Sequence, residues 1–291
     1  MTYVSTHKPT PAPIATARLT RFLRRNPTLT FGATILTIFL VLALASPLLV
    51  GDVSSLNPME RLKPISTAHW LGTDAQGRDI LGRTIYGARV SLLVGCAVAV
   101  LAITFGVILG LLAGYIQWLE TPVMTVMDAL MSIPAVLLAI SLVSLTSASV
   151  GTVIVAITIP EIPRVVRLVR SVVLSVRRQP YVEAAVAGGA RTFKILWRHI
   201  LPATVPPLIV QATYVAASAI LIESALSFVG AGTPPEIPSW GNMISESRLY
   251  LSRAPMTIFA PGLALALTVL AINLIGDGLR DRLDPKLARR M

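Results

Sequence analysis

Apolar residues in this chain run in long unbroken stretches rather than in amphipathic periods. A helix rises 1.5 Å per residue, so about 20 apolar residues cross a bilayer core. Six stretches meet that length: residues 31–50, 91–115, 123–145, 150–169, 205–230 and 258–279. The first two carry no charge. The third carries Asp128, the fifth Glu223 and the sixth Asp277. The fourth is interrupted by Glu161, Arg164 and Arg167, and its basic end is expected at the aqueous boundary, where arginine can snorkel. The pattern predicts an all-α polytopic membrane protein with six transmembrane helices.

The connections predict orientation. Of the 25 Lys and Arg residues, eighteen fall in the tail 1–30, the stretch 164–204 and the end from Arg280; seven fall in 51–90 and 230–257. The positive-inside rule places the richer set, with both termini, in the cytoplasm. The expected organisation is a cytoplasmic tail over 1–30, a first span over 31–50, an external and interfacial segment over 51–90, a core of five spans over 91–280, and a cytoplasmic tail over 281–291. A cleaved signal is the rival reading of the first run, because "ALASP" mimics a cleavage site. The long preceding tail and the continuation of the run to Val50 favour a retained anchor.

Composition agrees. Of 291 residues, 54% are hydrophobic and 13% charged, whereas a soluble domain carries about 25% charged residues. The formal charge of +11 could signal nucleic-acid binding, but the cations lie between apolar runs and aromatic residues are only 6%, so no nucleic-acid partner is expected. Cys96 is the single cysteine and allows no internal disulfide. His7, His69 and His199 are dispersed, and no metal-ligand spacing is present. No phosphate-binding glycine loop ending in Gly-Lys-Ser/Thr occurs, so ATP hydrolysis is not expected of this chain.

One connection is unusual. Residues 171–204 hold a helical stretch through Val186, a Gly188-Gly189 pair that permits chain reversal, and a second short helix over 192–200. Phe193, Leu196, Trp197 and Ile200 follow helical spacing on one face, with Arg191, Lys194 and Arg198 off it. Pro202 is expected to re-aim the chain into the fifth span. The spacing fits an interfacial helix pair on the bilayer as well as a protein-docking knuckle.

Glu183-Ala184-Ala185, then Gly189, then Leu201-Pro202, resembles the EAA loop of ABC importer permeases, with His199 at the usual isoleucine position. "HWLGTDAQGRDILGRTIYGARVSL" at 69–92, "MDALMSIPAVLLAISL" at 127–142, "ESALSFVGAGTPPEIPSWGNMI" at 223–244 and "GDGLRDRLDPKL" at 276–287 are similar, in order, to the C-type permease subunit of dipeptide and oligopeptide importers. The resemblance implies a type I ABC importer permease fold in the inner, cytoplasmic membrane. It implies a second, B-type permease subunit, one or two ABC ATPase subunits that use ATP and magnesium, and an extracytoplasmic peptide-binding protein. This chain itself is expected to bind no cofactor or metal.

By the same resemblance Glu183, Ala184, Ala185, Gly189, Arg191, Phe193, Leu196, Trp197, Leu201 and Pro202 form the ATPase-coupling loop. Phe193, Leu196 and Trp197 are either anchors in the ATPase cleft or residues packed on the permease's own helices. Ionisable residues inside spans are functional candidates, so Glu223 and Asp128 are candidate pathway residues. The loop 230–257, with Trp240, is a candidate contact for the capture protein or partner permease. Related permeases also carry nickel complexes and other small solutes. An intramembrane enzyme would need a convergent polar set, which Asp128 and Glu223 do not form, and a lone secondary transporter would be expected to show an inverted repeat.

Overall fold

The computed structural model describes residues 26–51, 53, 55–146 and 149–283; the expected tails fall outside it up to residue 25 and from residue 284. Among the described residues the regular structure is helical, apart from one isolated antiparallel bridge between Thr73 and Asp79. The helices are α1 (Pro27–Leu49), α2 (Ile80–Tyr115), α3 (Gln117–Ser132), α4 (Ala135–Ser144), α5 (Val150–Val176), α6 (Pro180–Ala187), α7 (Thr192–Ile195), α8 (Leu201–Val229), α9 (Trp240–Ser247) and α10 (Met256–Leu283).

Among the described residues the helical bundle bears out several apolar spans but not six uniform ones. Among the described residues, four helical stretches are long and apolar enough to cross a membrane: α1, α2, residues 192–229 and α10. The α3–α4 pair makes a fifth if counted together, but it is bent by 91°. The bend falls at Ile133-Pro134, where Pro134 holds the residue before it in extended conformation and supplies no backbone N–H. Helix α5 is long enough at 27 residues, yet Glu161 and three arginines make it too polar to pass on composition. The second helix also starts eleven residues before the expected span, because Asp79 caps it by accepting from Gly82 N–H at 2.7 Å.

The burial pattern is inverted relative to a water-soluble protein. Leu48 is 91% exposed and Leu44 78%, while Gly, Ala and Val fill much of the interior. Lipid tails are as apolar as leucine, so helices gain most from close backbone approach through small residues. On α2, Gly106, Gly110 and Gly114 face Val165, Val169 and Val173 of α5; a Cβ on Gly110 or Gly114 would stand 2.6 or 2.7 Å from the facing valine Cβ. Both rows have a four-residue repeat, so the helices mesh over two turns.

Three polar links tie the C-terminal half of α5 to α2 and α3. Arg177 donates to the Gly114 carbonyl at 3.1 Å, Arg170 pairs with Glu120 of α3, and Arg167 with Asp128 of α3 at 2.7 Å. The C-terminal ends of α2 and α5 therefore share one side of the bundle. Arg282 donates to Asn26 at 3.1 Å, joining the end of α10 to the start of α1.

Candidate functional site: a helical elbow between α5 and α8

Glu183, Ala184 and Ala185 lie on α6. Pro180 opens this helix, where a missing N–H costs nothing, and Glu183 sits in its first turn, where the helix dipole favours a carboxylate. The helix ends in a Schellman arrangement: Ala190 N–H donates to Ala185 O at 3.1 Å and Gly189 N–H to Val186 O at 2.9 Å. Gly189 has φ +75°, with open space where a Cβ would project. The glycine is required by backbone conformation, not by crowding.

Beyond the turn, α7 runs through Leu196–Ile200 into α8 without a break in direction large enough to separate them as spans. The expectation that Pro202 re-aims the chain is corrected. Leu201 N–H bonds to Leu196 O, five residues back, so Leu196–Ile200 forms a π-type turn. A wider turn accommodates the proline ring and its missing N–H within a continuing helix.

That turn also changes which side chains share a face. Ile195, Leu196 and Ile200 are buried, and together with Val182 they join the core cluster containing Val173 of α5 and Leu208 of α8. Phe193 and Trp197 are 76% and 65% exposed and stack with ring centroids 6.4 Å apart and planes 9° from parallel. The expected single face of Phe193, Leu196, Trp197 and Ile200 is thus split: the first and third point out, the second and fourth point in. Arg191, Lys194 and Arg198 are exposed beside the aromatic pair, and Leu201 is half-buried with Pro202 exposed. The elbow has an inner face packed on α5 and α8 and an aromatic, basic outer face.

The two candidate pathway carboxylates lie apart from it. Asp128 is exposed and held by Arg167. Glu223 is fully buried near the other end of α8, where its Oε1 accepts from Ser227 Oγ at 2.9 Å and Oε2 has no partner among the described residues. Sequence reasoning passed over Glu161, which is 1% exposed between Pro160 and Pro163 and accepts from Ser218 Oγ of α8 at 2.8 Å. It had counted only as a break in an apolar run.

At the end of the bundle opposite the elbow, residues 72–83 build a buried ion network. Asp74 Oδ1 accepts from the N–H groups of Gln76 and Arg78, and Oδ2 from Arg78 Nε and Arg83 Nη1, each of the latter at 2.7 Å. Glu246 of α9 takes Arg78 at 2.7 Å, and burial pushes its carboxyl upward against the pull of that arginine. Trp240 is fully buried, donates to Thr84 O at 2.9 Å, meets Phe39 edge-on, and covers Gly87. Within the loop expected as a partner contact, it is a core residue. No cluster of three metal-ligating side chains occurs among the described residues.

A bundle with a lipid-facing apolar shell and a helical elbow joining two of its helices has the architecture of a membrane permease subunit. The model of the binding-protein-dependent transport system inner membrane component family matches residues 102–289. A probable peptide ABC transporter permease of Sinorhizobium fredii is 56% identical over 277 residues, covering 95% of each chain. The dipeptide transport permease of Alkalihalophilus pseudofirmus is 42% identical, with 91% of this chain and 88% of that one covered. The oligopeptide transport permease of Bacillus subtilis is 36% identical over the same shares of the two chains. Among solved structures, an inward-facing MetNI methionine ABC transporter chain superposes with TM-score 0.61 at 20% identity, over 70% of this chain and 98% of that one, and so shares the fold. The chain belongs to the family of binding-protein-dependent transport system inner membrane components.

Proposed function

We propose that this chain is one of two permease subunits of an ATP-driven importer of di- or oligopeptides. A separate ATPase docks on the elbow. The observation that carries this reading is the split of the elbow's side chains: Ile195, Leu196 and Ile200 anchor it to the bundle while Phe193 and Trp197 stand stacked and exposed. Paired aromatics beside basic residues are what a protein cleft grips, because large rings supply contact area at low entropic cost. Movement of the ATPase would reach α5 and α8 together through Val182 and Ile195. Their shared Glu161–Ser218 bond favours their moving as one unit.

The elbow and both chain ends face the cytoplasm, in keeping with the Lys and Arg distribution. The segment 51–79 and the loop around α9 then face outward, toward an extracytoplasmic peptide-binding protein, and the second permease chain is of the B type. Peptide as the cargo rests on the similarity to permeases named for peptide, dipeptide and oligopeptide transport. ATP and magnesium belong to the partner ATPase.

Affinity purification of the intact complex tests the assignment. An ATPase and a second permease should co-purify, and vesicles holding the complex with its capture protein should accumulate labelled dipeptide only with internal ATP. Accumulation driven by an ion gradient with no ATPase present would overturn it.

A further inference from the structure

His69 lies in the segment between α1 and α2, with both ring nitrogens against carboxylates. Nδ1 is 3.1 Å from Asp79 Oδ1 and Nε2 is 3.0 Å from Glu60 Oε2. Neutral imidazole carries one N–H, so either tautomer would turn a lone pair toward one carboxylate; only the imidazolium donates to both. The ring is held in place from behind. His69 N–H donates to Ser66 Oγ at 3.1 Å, and the His69 carbonyl accepts from Ser66 and Gly72.

The two carboxylates belong to different pieces of structure. Glu60 ends the short 3₁₀ turn Pro58–Glu60, and Asp79 is the N-cap of α2. Each is committed on its far side: Glu60 Oε1 to Lys63 Nζ at 3.2 Å, and Asp79 Oδ2 to Gly82 N–H. Arg78 lines the same cleft, but its guanidinium is turned to Asp74 and Glu246. The charged groups about the ring are therefore Glu60, Asp79, Lys63 and Arg78. Among the described residues, the imidazolium is the cation that bridges the 3₁₀ turn to the helix cap.

We propose that His69 is a proton-operated clasp, which as imidazolium ties the turn at Glu60 to the start of α2 and on deprotonation loosens that tie within residues 57–79. Hydrogen bonds to Asp79 and then to Glu60 raise the imidazole above its ordinary range, against a smaller loss from burial. The bond from His69, then Lys63, lowers Glu60. Stability gained by a raised histidine is present in acid and lost as pH rises through its folded-state value; stability gained by a lowered carboxylate is lost as pH falls through that group's value. The clasp is thus closed between the lowered Glu60 titration and the raised His69 titration, and it opens on the alkaline side.

Hydrogen–deuterium exchange of the whole transporter in lipid nanodiscs, from about pH 6 to about pH 9 and corrected for intrinsic exchange, reads this directly. Protection over 57–79 should fall with rising pH in the wild type, and His69→Gln should remove the step. Glu60→Gln should keep a step but lower its midpoint, because one of two favourable charges is gone. A flat wild-type profile, or an unchanged step in His69→Gln, would overturn the proposal. An unmoved midpoint in Glu60→Gln would remove Glu60 from the clasp and overturn the two-sided form proposed here.

Discussion

Gly110 of α2 and Val169 of α5 approach so closely that a Cβ on the glycine would stand 2.6 Å from the valine Cβ. The relationship repeats one helical turn away on either side and makes α2–α5 a close-packed seam of the bundle. Gly110→Leu should lower the thermal transition of the purified protein by an amount corresponding to about 1–3 kcal/mol of overpacking, with Gly110→Ala milder. An unchanged transition for the leucine variant would mean that the seam opens without cost.

The elbow's two faces predict opposite phenotypes. Phe193→Ala and Trp197→Ala should leave the permease's own stability within about 0.5 kcal/mol, since both rings are exposed. They should weaken capture of the ATPase by about 2 kcal/mol or more, close to thirtyfold. Leu196→Ala should instead cost about 2–5 kcal/mol of stability, because Leu196 is buried in the core cluster. Thermal scans beside ATPase pull-downs separate the two classes.

Gly189 holds φ +75° in open space, so its substitution tests conformation alone. Gly189→Asn should transport nearly as well as wild type, since asparagine tolerates the left-handed region. Gly189→Pro should abolish uptake while the protein still inserts, because proline is locked at negative φ. Glu183→Lys, which places a cation in the first turn of α6, should also fail in uptake with insertion intact. Membrane fractionation alongside uptake assays checks all three.

Removing one member of the buried Asp74–Arg78–Arg83–Glu246 network should cost more than removing an exposed pair. Arg83 is 2% exposed, so Asp74→Ala should destabilise by about 3–5 kcal/mol, whereas Lys63→Ala, at a solvent-facing pair, should cost less than about 1 kcal/mol. Equal effects would mean that the network is hydrated.

Much of this was legible in the sequence, because hydropathy is a local signal and lipid enforces it. The cores of α1, α8 and α10 and the turn at Gly188-Gly189 follow from runs of residues and one glycine pair. Three kinds of feature were not legible. Arg83 hid the start of α2, because a buried arginine satisfied by Asp74 looks like a charge in water until its partner is known. Exposure of Phe193 and Trp197 against burial of Leu196 depends on a π-type turn, which shifts side chains off the 3.6-residue period. Burial of Trp240 depends on Gly87, 153 positions earlier in the chain, leaving room for its ring. The Gly106, Gly110 and Gly114 spacing was a usable signal: small residues four apart in a span mark a helix–helix contact.

The central claim is that the exposed aromatic face of the elbow is where the ATPase grips. In a Cys96→Ala background, the Lys194→Cys variant, at an exposed position that leaves both rings in place, can be cross-linked in intact membranes by a short linker reactive toward thiols and amines. The account predicts a covalent adduct between this chain and its ATPase subunit, and no labelling of the introduced thiol by an impermeant reagent added outside. Labelling from outside, with no ATPase adduct, would contradict it.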